Sequence, residues 1–205
     1  HVREAIVPVK EGLDEQWPVW VDQHLGALPV FYLMTEDPEQ IARDLDVIQQ
    51  LSDSEVRINC FYEAESDTVT YRIFASSCYQ DGFFHKAAGI LSGLRNDIHT
   101  AVSCGAADGT IVARFVVTDN DFKGVVPESR MNAVTAAVTQ VVTGEQTVET
   151  VFRKSGLFPL SSQNRSIVAI DPQVCIDNDC SDQYTVIDVF AIDTPGLLYT
   201  LSRTL

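Results

Sequence analysis

Two short stretches combine the residue types that could hold a small zwitterion. The first is Asp193-Thr194-Pro195-Gly196-Leu197-Leu198, lying between two apolar runs. It reads as a strand that ends in a kink from which a helix starts. The first amides of a helix lack intrahelical acceptors and sit at the positive end of the helix dipole, so they attract a carboxylate. Gly196 has no Cβ to keep a ligand off the backbone, Pro195 fixes the turn, and Asp193 can attract an ammonium group. A free amino acid carries both charges. The second stretch, Gln80-Asp81-Gly82-Phe83, repeats this logic, with Asp81 and Gly82 in the corresponding roles and Gln80 as a side-chain partner. An ordinary strand-to-helix turn that binds nothing uses the same residues, so a packing role stands beside the binding role.

Other candidates for chemistry are weaker. Asp177-Asn-Asp-Cys-Ser-Asp182 resembles the opening of a calcium loop with Asp188 in the twelfth position, but Asp182 stands where the sharp turn needs Gly. An acidic turn between strands fits better. His85 and His99 have no nucleophile arranged around them and read as surface or packing residues. The five cysteines (Cys60, Cys78, Cys104, Cys175 and Cys180) form no Cys-x-x-Cys pair. They read as reduced thiols of a cytoplasmic protein, with Cys104 a small core residue. Trp17 and Trp20 read as a packing patch. Asn164-Arg-Ser166 matches a glycosylation pattern of no consequence in such a compartment. No catalytic residue and no metal site is expected.

The elements that position the two turns follow from periodicity. The chain has 205 residues, 45% apolar and 21% charged, enough for one good domain with appendages or two small ones. A net charge of −15 repels phosphate backbones and anionic membranes, so neither is an expected partner. No apolar run is long enough to span a bilayer. An opening at His1 and a close at Leu205 inside an amphipathic pattern lead to the expectation of a piece of a longer chain. Residues 1–55 read as helical and connective. Trp17, Trp20, Val21 and Leu25 form a short face interrupted by Pro18, and a helix runs from Pro38 to about Leu51. There Asp37 is the N-cap, Gln40 closes a capping box, and Ile41, Leu45 and Ile48 form the buried stripe.

Val56–Tyr62 and Val69–Phe74 alternate as strands do. Phe84, Ala87, Ala88 and Leu91 mark an amphipathic helix. Asn96–Cys104 and Thr110–Thr118 form a hairpin about Asp108-Gly109, and Pro127 opens a helix carrying Met131, Val134, Val138 and Val141 that stops at Gly144. This is a ferredoxin-like βαββαβ order lacking its last strand, for which Val148–Arg153 and Ile167–Ile170 are the candidates. Ser155–Arg165 reads as a linker. Val174–Ile176 and Tyr184–Ile192 are strands, and Leu197, Leu198 and Leu201 begin a helix. Strand, turn and helix thus recur about 115 residues after their first appearance, which points to an internal duplication.

Ile192-Asp-Thr-Pro-Gly-Leu-Leu-Tyr199 resembles the Asp-x-Pro-Gly-Leu-Leu turn that opens ACT domains. Tyr79-Gln-Asp-Gly-Phe-Phe-His-Lys-Ala-Ala-Gly-Ile-Leu91 resembles it in degenerate form, without the Pro and with two Phe in place of the usual Leu-Leu or Leu-Phe. The stretch from Asn96-Asp-Ile-His through Ala107-Asp-Gly-Thr-Ile-Val-Ala-Arg-Phe-Val-Val-Thr-Asp119 resembles the following hairpin. With the Pro-Glu-Gln-Ile-Ala helix ahead, and Ile176-Asp-Asn178, Ser181 and Tyr184–Ala191 between, the chain is similar to the C-terminal region of bifunctional PII-protein uridylyltransferase/uridylyl-removing enzymes.

The resemblance implies an α+β chain in four parts. Residues 1–55 are a helical lead, 56–154 a first ACT domain, 155–183 a linker with an extra strand, and 184–205 the opening of a second ACT domain. It implies a non-catalytic sensor of an amino acid, glutamine in that family, and a PII signalling protein as the parent's partner. The family's nucleotidyltransferase uses a Gly-Ser turn and paired Asp for Mg²⁺, and its uridylyl-removing part uses a His-Asp metal site. Neither pattern occurs here, so no cofactor is expected in this stretch. An alternative role is a structural ACT module that binds no ligand, and the exposed strand edge of the second copy favours homodimerisation.

Overall fold

A computed structural model describes residues 17–156, 171–181 and 184–204. Among them are seven helices and six strands. The helices are α1 (Trp17–Ala27), α2 (Val30–Thr35), α3 (Pro38–Gln50), α4 (Phe83–Gly93), α5 (Glu128–Val142), α6 (Val148–Lys154) and α7 (Leu197–Thr204). The strands are β1 (Val56–Glu63), β2 (Thr68–Ala75), β3 (Asn96–Gly105), β4 (Ile111–Asp119), β5 (Gln173–Asp177) and β6 (Val186–Phe190).

The first four strands form one antiparallel sheet in the order β1-β2-β4-β3. The α+β class and the four-stranded antiparallel sheet agree with the expected ferredoxin-like layout, but the element order does not. Val148–Lys154 is a helix, because Val148, Val151 and Phe152 are buried at helical spacing against α4 and the Thr147 side chain accepts from the Thr150 amide as an N-cap. Ile167–Ile170 lies outside the described residues. The edge seat beside β2 is taken by β1, which comes ahead of the first helix. The order is therefore ββαββα, a permuted form of the expected one. A tight turn joins β1 to β2, so pairing them costs little loop-closure entropy.

The sheet is buried on both faces, as the side-chain alternation of β2 shows. Val69, Tyr71, Ile73 and Ala75 face a core shared with α4, α5 and α6. Phe74, with Val112 of β4, faces a second core built from Val21, Leu28, Tyr32, Ile41, Leu45 and Ile48 of the leading helices and the segment joining them. The period of two in a strand puts neighbours on opposite faces, so Arg72 falls on the leading-helix side. There it meets Glu36 and Asp44: Arg72 Nη1 donates to Asp44 Oδ2 at 2.8 Å, and Nη2 pairs with Glu36 Oε2. Arg114 Nε lies 3.0 Å from Glu36 Oε1, and Tyr32 donates to Asp44. Two carboxylates balance two guanidinium groups. This is how charges are tolerated where water is excluded.

Two details of the leading helices differ from expectation. Pro18 does not interrupt α1 but sits in its first turn, where its missing amide has no intrahelical partner to lose. Gln40 does not close a capping box. Its side chain donates to Asp44 Oδ1 at 2.7 Å and its oxygen accepts from Arg43, a charged donor taking the place of the N-cap amide that a capping box would use. Asp37 occupies the N-cap position without a side-chain cap bond, Pro38 is at the start, and Ile41, Leu45 and Ile48 are buried as the spacing predicts.

After residue 170 the chain forms an antiparallel β5–β6 hairpin and then α7. The Val174–Ile176 strand expected between the domains is therefore the partner of β6. Strand, strand, turn and helix occur twice, as β1-β2-α4 and β5-β6-α7. The second helix docks on the first: Tyr199 of α7 lies against Gly89 of α4 and against Phe152 of α6 within one core.

Candidate functional site

Both proposed turns are kinked junctions between a strand and a helix. In the first, Ser76 follows β2. Its hydroxyl accepts from the Glu55 amide at 2.9 Å, tying the strand end to the loop ahead of β1. A 3-10 turn, Ser77–Tyr79, comes next. Gly82 adopts φ +69°, and α4 begins one residue later. The Phe83 amide donates to the Gln80 carbonyl at 3.3 Å and the Lys86 amide to the Gly82 carbonyl at 3.1 Å. The left-handed conformation is one that a side chain with a Cβ resists. In the second junction Gly196 adopts φ +83°, Leu197 donates to the Thr194 carbonyl at 3.0 Å, and Thr200 to the Gly196 carbonyl at 2.9 Å. Each glycine therefore stands directly before the first residue of its helix.

The surroundings of the two junctions differ. At the first, Gln80, Phe83 and Phe84 line a cleft of about 240 Å³ together with Ser103, Cys104 and Gly105 at the end of β3 and Ile111 at the start of β4. Phe83 is buried and Phe84 stacks on Phe115, with ring centroids 5.6 Å apart, so two aromatic side chains form a rigid wall. Asp81 is exposed, and its carbonyl accepts from Lys86 Nζ at 3.1 Å. Asp81 and Gly82 shape the turn without lining the cleft. Burial pushes the Cys104 thiol up to about 12, with Asp44 and Glu36 adding to the effect. It stays protonated at neutral pH and offers no nucleophile. At the second junction Asp193, Thr194 and Pro195 are exposed, Gly196 is buried, and Leu197 and Leu198 are half-buried. The two junctions do not share this cleft.

A second cleft, of about 270 Å³, was not legible in the sequence. It lies between α4, the α5–α6 turn and α7, and His85, Lys86, Glu149, Tyr199 and Arg203 line it over an apolar floor of Val141 and Val148. Tyr199 donates to Glu149 Oε1 at 3.0 Å, and Arg203 Nη1 lies 3.3 Å from the same oxygen. Glu149 is held below the usual carboxylate range, chiefly by a hydrogen bond from its own backbone amide, with Tyr199 and Arg203 contributing. Burial holds His85 below its ordinary value, aided by the nearby charges of Lys86 and Arg203. Only α7, distant in sequence, could complete this cleft.

The remaining candidates have structural roles. His85 packs against Tyr199, and His99 is exposed, with Nε2 2.8 Å from the Thr118 hydroxyl. Asp177 Oδ1 accepts from the amides of Asp179 and Cys180 at 2.7 and 3.1 Å, forming the acidic turn of the β5–β6 hairpin. Trp20 stacks on buried His24, whose Nδ1 donates to the Trp20 carbonyl at 3.0 Å. Asn164 and most of the Ser155–Arg165 stretch lie outside the described residues. Among the described residues no group of three or more His, Cys, Asp and Glu could hold a metal ion. No helix among them is long and apolar enough to cross a membrane.

The class these features define is an α+β domain with a ferredoxin-like sheet, helices on both faces, and part of its own motif repeated. No family model matches the chain. Among curated proteins it is similar to bifunctional uridylyltransferase/uridylyl-removing enzymes along nearly all of its length, in keeping with the resemblance read from its turns. It is 23% identical to the enzyme of Rhodospirillum rubrum over 186 residues, covering 91% of this chain and 19% of that protein. It is 26% identical to the enzyme of Azospirillum brasilense over 209 residues, covering 100% and 22%. With that of Cereibacter sphaeroides it shares 29% over 161 residues, covering 78% and 16%. The chain thus spans about a fifth of the length of the relatives it matches.

Proposed function

We propose that this chain is a regulatory region of a uridylyltransferase/uridylyl-removing enzyme, that its ββαββα unit is an ACT-type domain, and that it senses an amino acid, with glutamine the first choice. The observation that carries this reading is the cleft at the first junction, where a positive-φ glycine opens a helix beside the ends of β3 and β4. The first-turn amides of α4 suit a carboxylate. The Phe83–Phe84 wall accepts the aliphatic part of a side chain. The Gln80 amide and the Ser103 hydroxyl supply the paired donors and acceptors that a carboxamide needs. In the parent enzyme the effector would shift the balance between attaching and removing uridylyl groups on a PII signalling protein in the cytoplasm, with Mg²⁺ serving the nucleotidyltransferase part.

Calorimetry on the full chain tests this. Glutamine should give saturable heat, and Gln80→Ala should weaken binding about tenfold, equivalent to about 1.4 kcal/mol. Absence of heat with glutamine and with every other amino acid would defeat the sensor reading.

A second reading is a structural module without ligand. It is favoured by the docking of α7 on α4, where a Cβ at Gly89 would lie 2.7 Å from Tyr199, and by the exposed apolar side chains Val174, Ile176 and Phe190 of the β5–β6 hairpin. Exposed edges of this kind favour pairing with a second copy. On this reading neither junction binds amino acids, and the chain sediments as a dimer.

A further inference from the structure

We infer that the cleft between α4, the α5–α6 turn and α7 is a binding site for a small oxyanion, a carboxylate or phosphate on a short uncharged tail, separate from the amino-acid site proposed above.

The charge of its lining carries this. The chain as a whole is strongly acidic, with a net charge of −15. Yet Lys86 and Arg203 both line this cleft, with Glu149 as the one carboxylate among the lining residues. Glu149 is already engaged. Its Oε1 accepts from the Tyr199 hydroxyl and lies 3.3 Å from Arg203 Nη1, so the guanidinium group offsets its charge and Lys86 is left in excess. Arg203 is held in place by Glu149 and by the Tyr199 hydroxyl, 3.2 Å from its Nη1, with its guanidinium carbon 5.9 Å from the Tyr199 ring centre. These contacts use part of a five-donor fork and leave the rest for an anion. Lys86 Nζ donates to the Asp81 carbonyl, which fixes the ammonium group and takes only one of its three protons. His85 adds a further ring nitrogen to the same wall.

The remainder of the cleft is apolar. Val141, Val148 and the Tyr199 ring form its floor, which suits a short hydrocarbon and disfavours a second charge. The volume of about 270 Å³ suits a small metabolite. The cations come from different repeats, Lys86 from α4 and Arg203 from α7. An anion bridging them adds its binding energy only when α7 is docked, so occupancy ties the second repeat to the first.

The test is NMR titration of the full chain with butyrate and, separately, with inorganic phosphate. Saturable shifts centred on His85, Val148 and Tyr199 are expected with at least one probe, and the tighter probe identifies the ligand as a carboxylate or a phosphate. Lys86→Gln and Arg203→Gln should each weaken binding at least about tenfold, while Lys123→Gln, an exposed lysine elsewhere, should leave it unchanged. No saturable shift with either probe would overturn the proposal, as would binding that survives both cleft substitutions. Glutamine binding at the first junction is measured independently and stands or falls on its own.

Discussion

The two copies of the strand–strand–helix pattern share a local design and differ in what surrounds them. In β1-β2-α4 every residue of β2 is buried, because β1 and β4 flank it and helices cover both faces. In β5-β6-α7 most residues of both strands are exposed, and only the helix is docked. Ile73 of β2 is 0% exposed and Ile176 of β5 is 62% exposed. Alternating hydrophobicity and a glycine before the helix are therefore enough to shape the motif. They do not decide whether it is buried, which depends on the strands and helices that come to lie beside it.

Truncating equivalent side chains sharpens this contrast most. Ile73→Ala should cost about 2–5 kcal/mol, the usual range for emptying a buried aliphatic site. Ile176→Ala should stay within about 0.5 kcal/mol. Denaturant unfolding measures both, and similar values would show that β5 is buried in solution.

The seam between the copies can be broken at Gly89. An added Cβ would lie 2.6 Å from Val148 Cγ1 and 2.7 Å from Tyr199 Cδ2. Gly89→Ala should therefore cost about 1–3 kcal/mol by overpacking and speed amide exchange in α7. Gly105→Ala meets nothing within 4 Å and serves as the control. Unchanged exchange in α7 would mean that it does not rest on α4.

The smallest effect is on pH dependence. His85 of α4 and Glu149 of α6 line the cleft beside α7, with Lys86, Arg203 and Tyr199 around them. His85 sits below its ordinary 6.5 because burial disfavours its charged form. Its contribution is complete above 6.5 and is lost as the pH falls through its folded value. Glu149 sits below its ordinary 4.5, so its contribution is present above 4.5 and is lost at still lower pH. Docking of α7 should thus loosen in two steps on acidification, seen as faster exchange in α7 than in α5. Tyr199→Phe should move the Glu149 titration back toward its ordinary range.

Much of the scaffold was legible in the sequence. The helix over Pro38–Gln50, both hairpins and the helices after Gly82, Pro127 and Gly196 follow from periods of two and 3.6 and from punctuation by Gly and Pro. The strand seat beside β2 was not legible, because a strand before the first helix and one after the second are interchangeable in pattern. Val148–Lys154 was misread since its β-branched residues fit either element, and packing against α4 decided for a helix. The charged group of Tyr32, Glu36, Asp44, Arg72 and Arg114 gives no sequence signal, because its members come from two helices, two strands and the loop after α2. Of the ten residues proposed for ligand binding, Gln80 and Phe83 line the cleft at the first junction.

The sequence alone determined where the chain turns from strand to helix, since that depends on glycine's freedom at φ +69° and +83° and on local hydrophobic period. Only the tertiary structure decided which of those turns opens on a cleft, which charges are neutralised beneath the sheet, and that Lys86 and Arg203 line one cleft. Those outcomes depend on contacts between residues far apart along the chain, which local pattern does not encode.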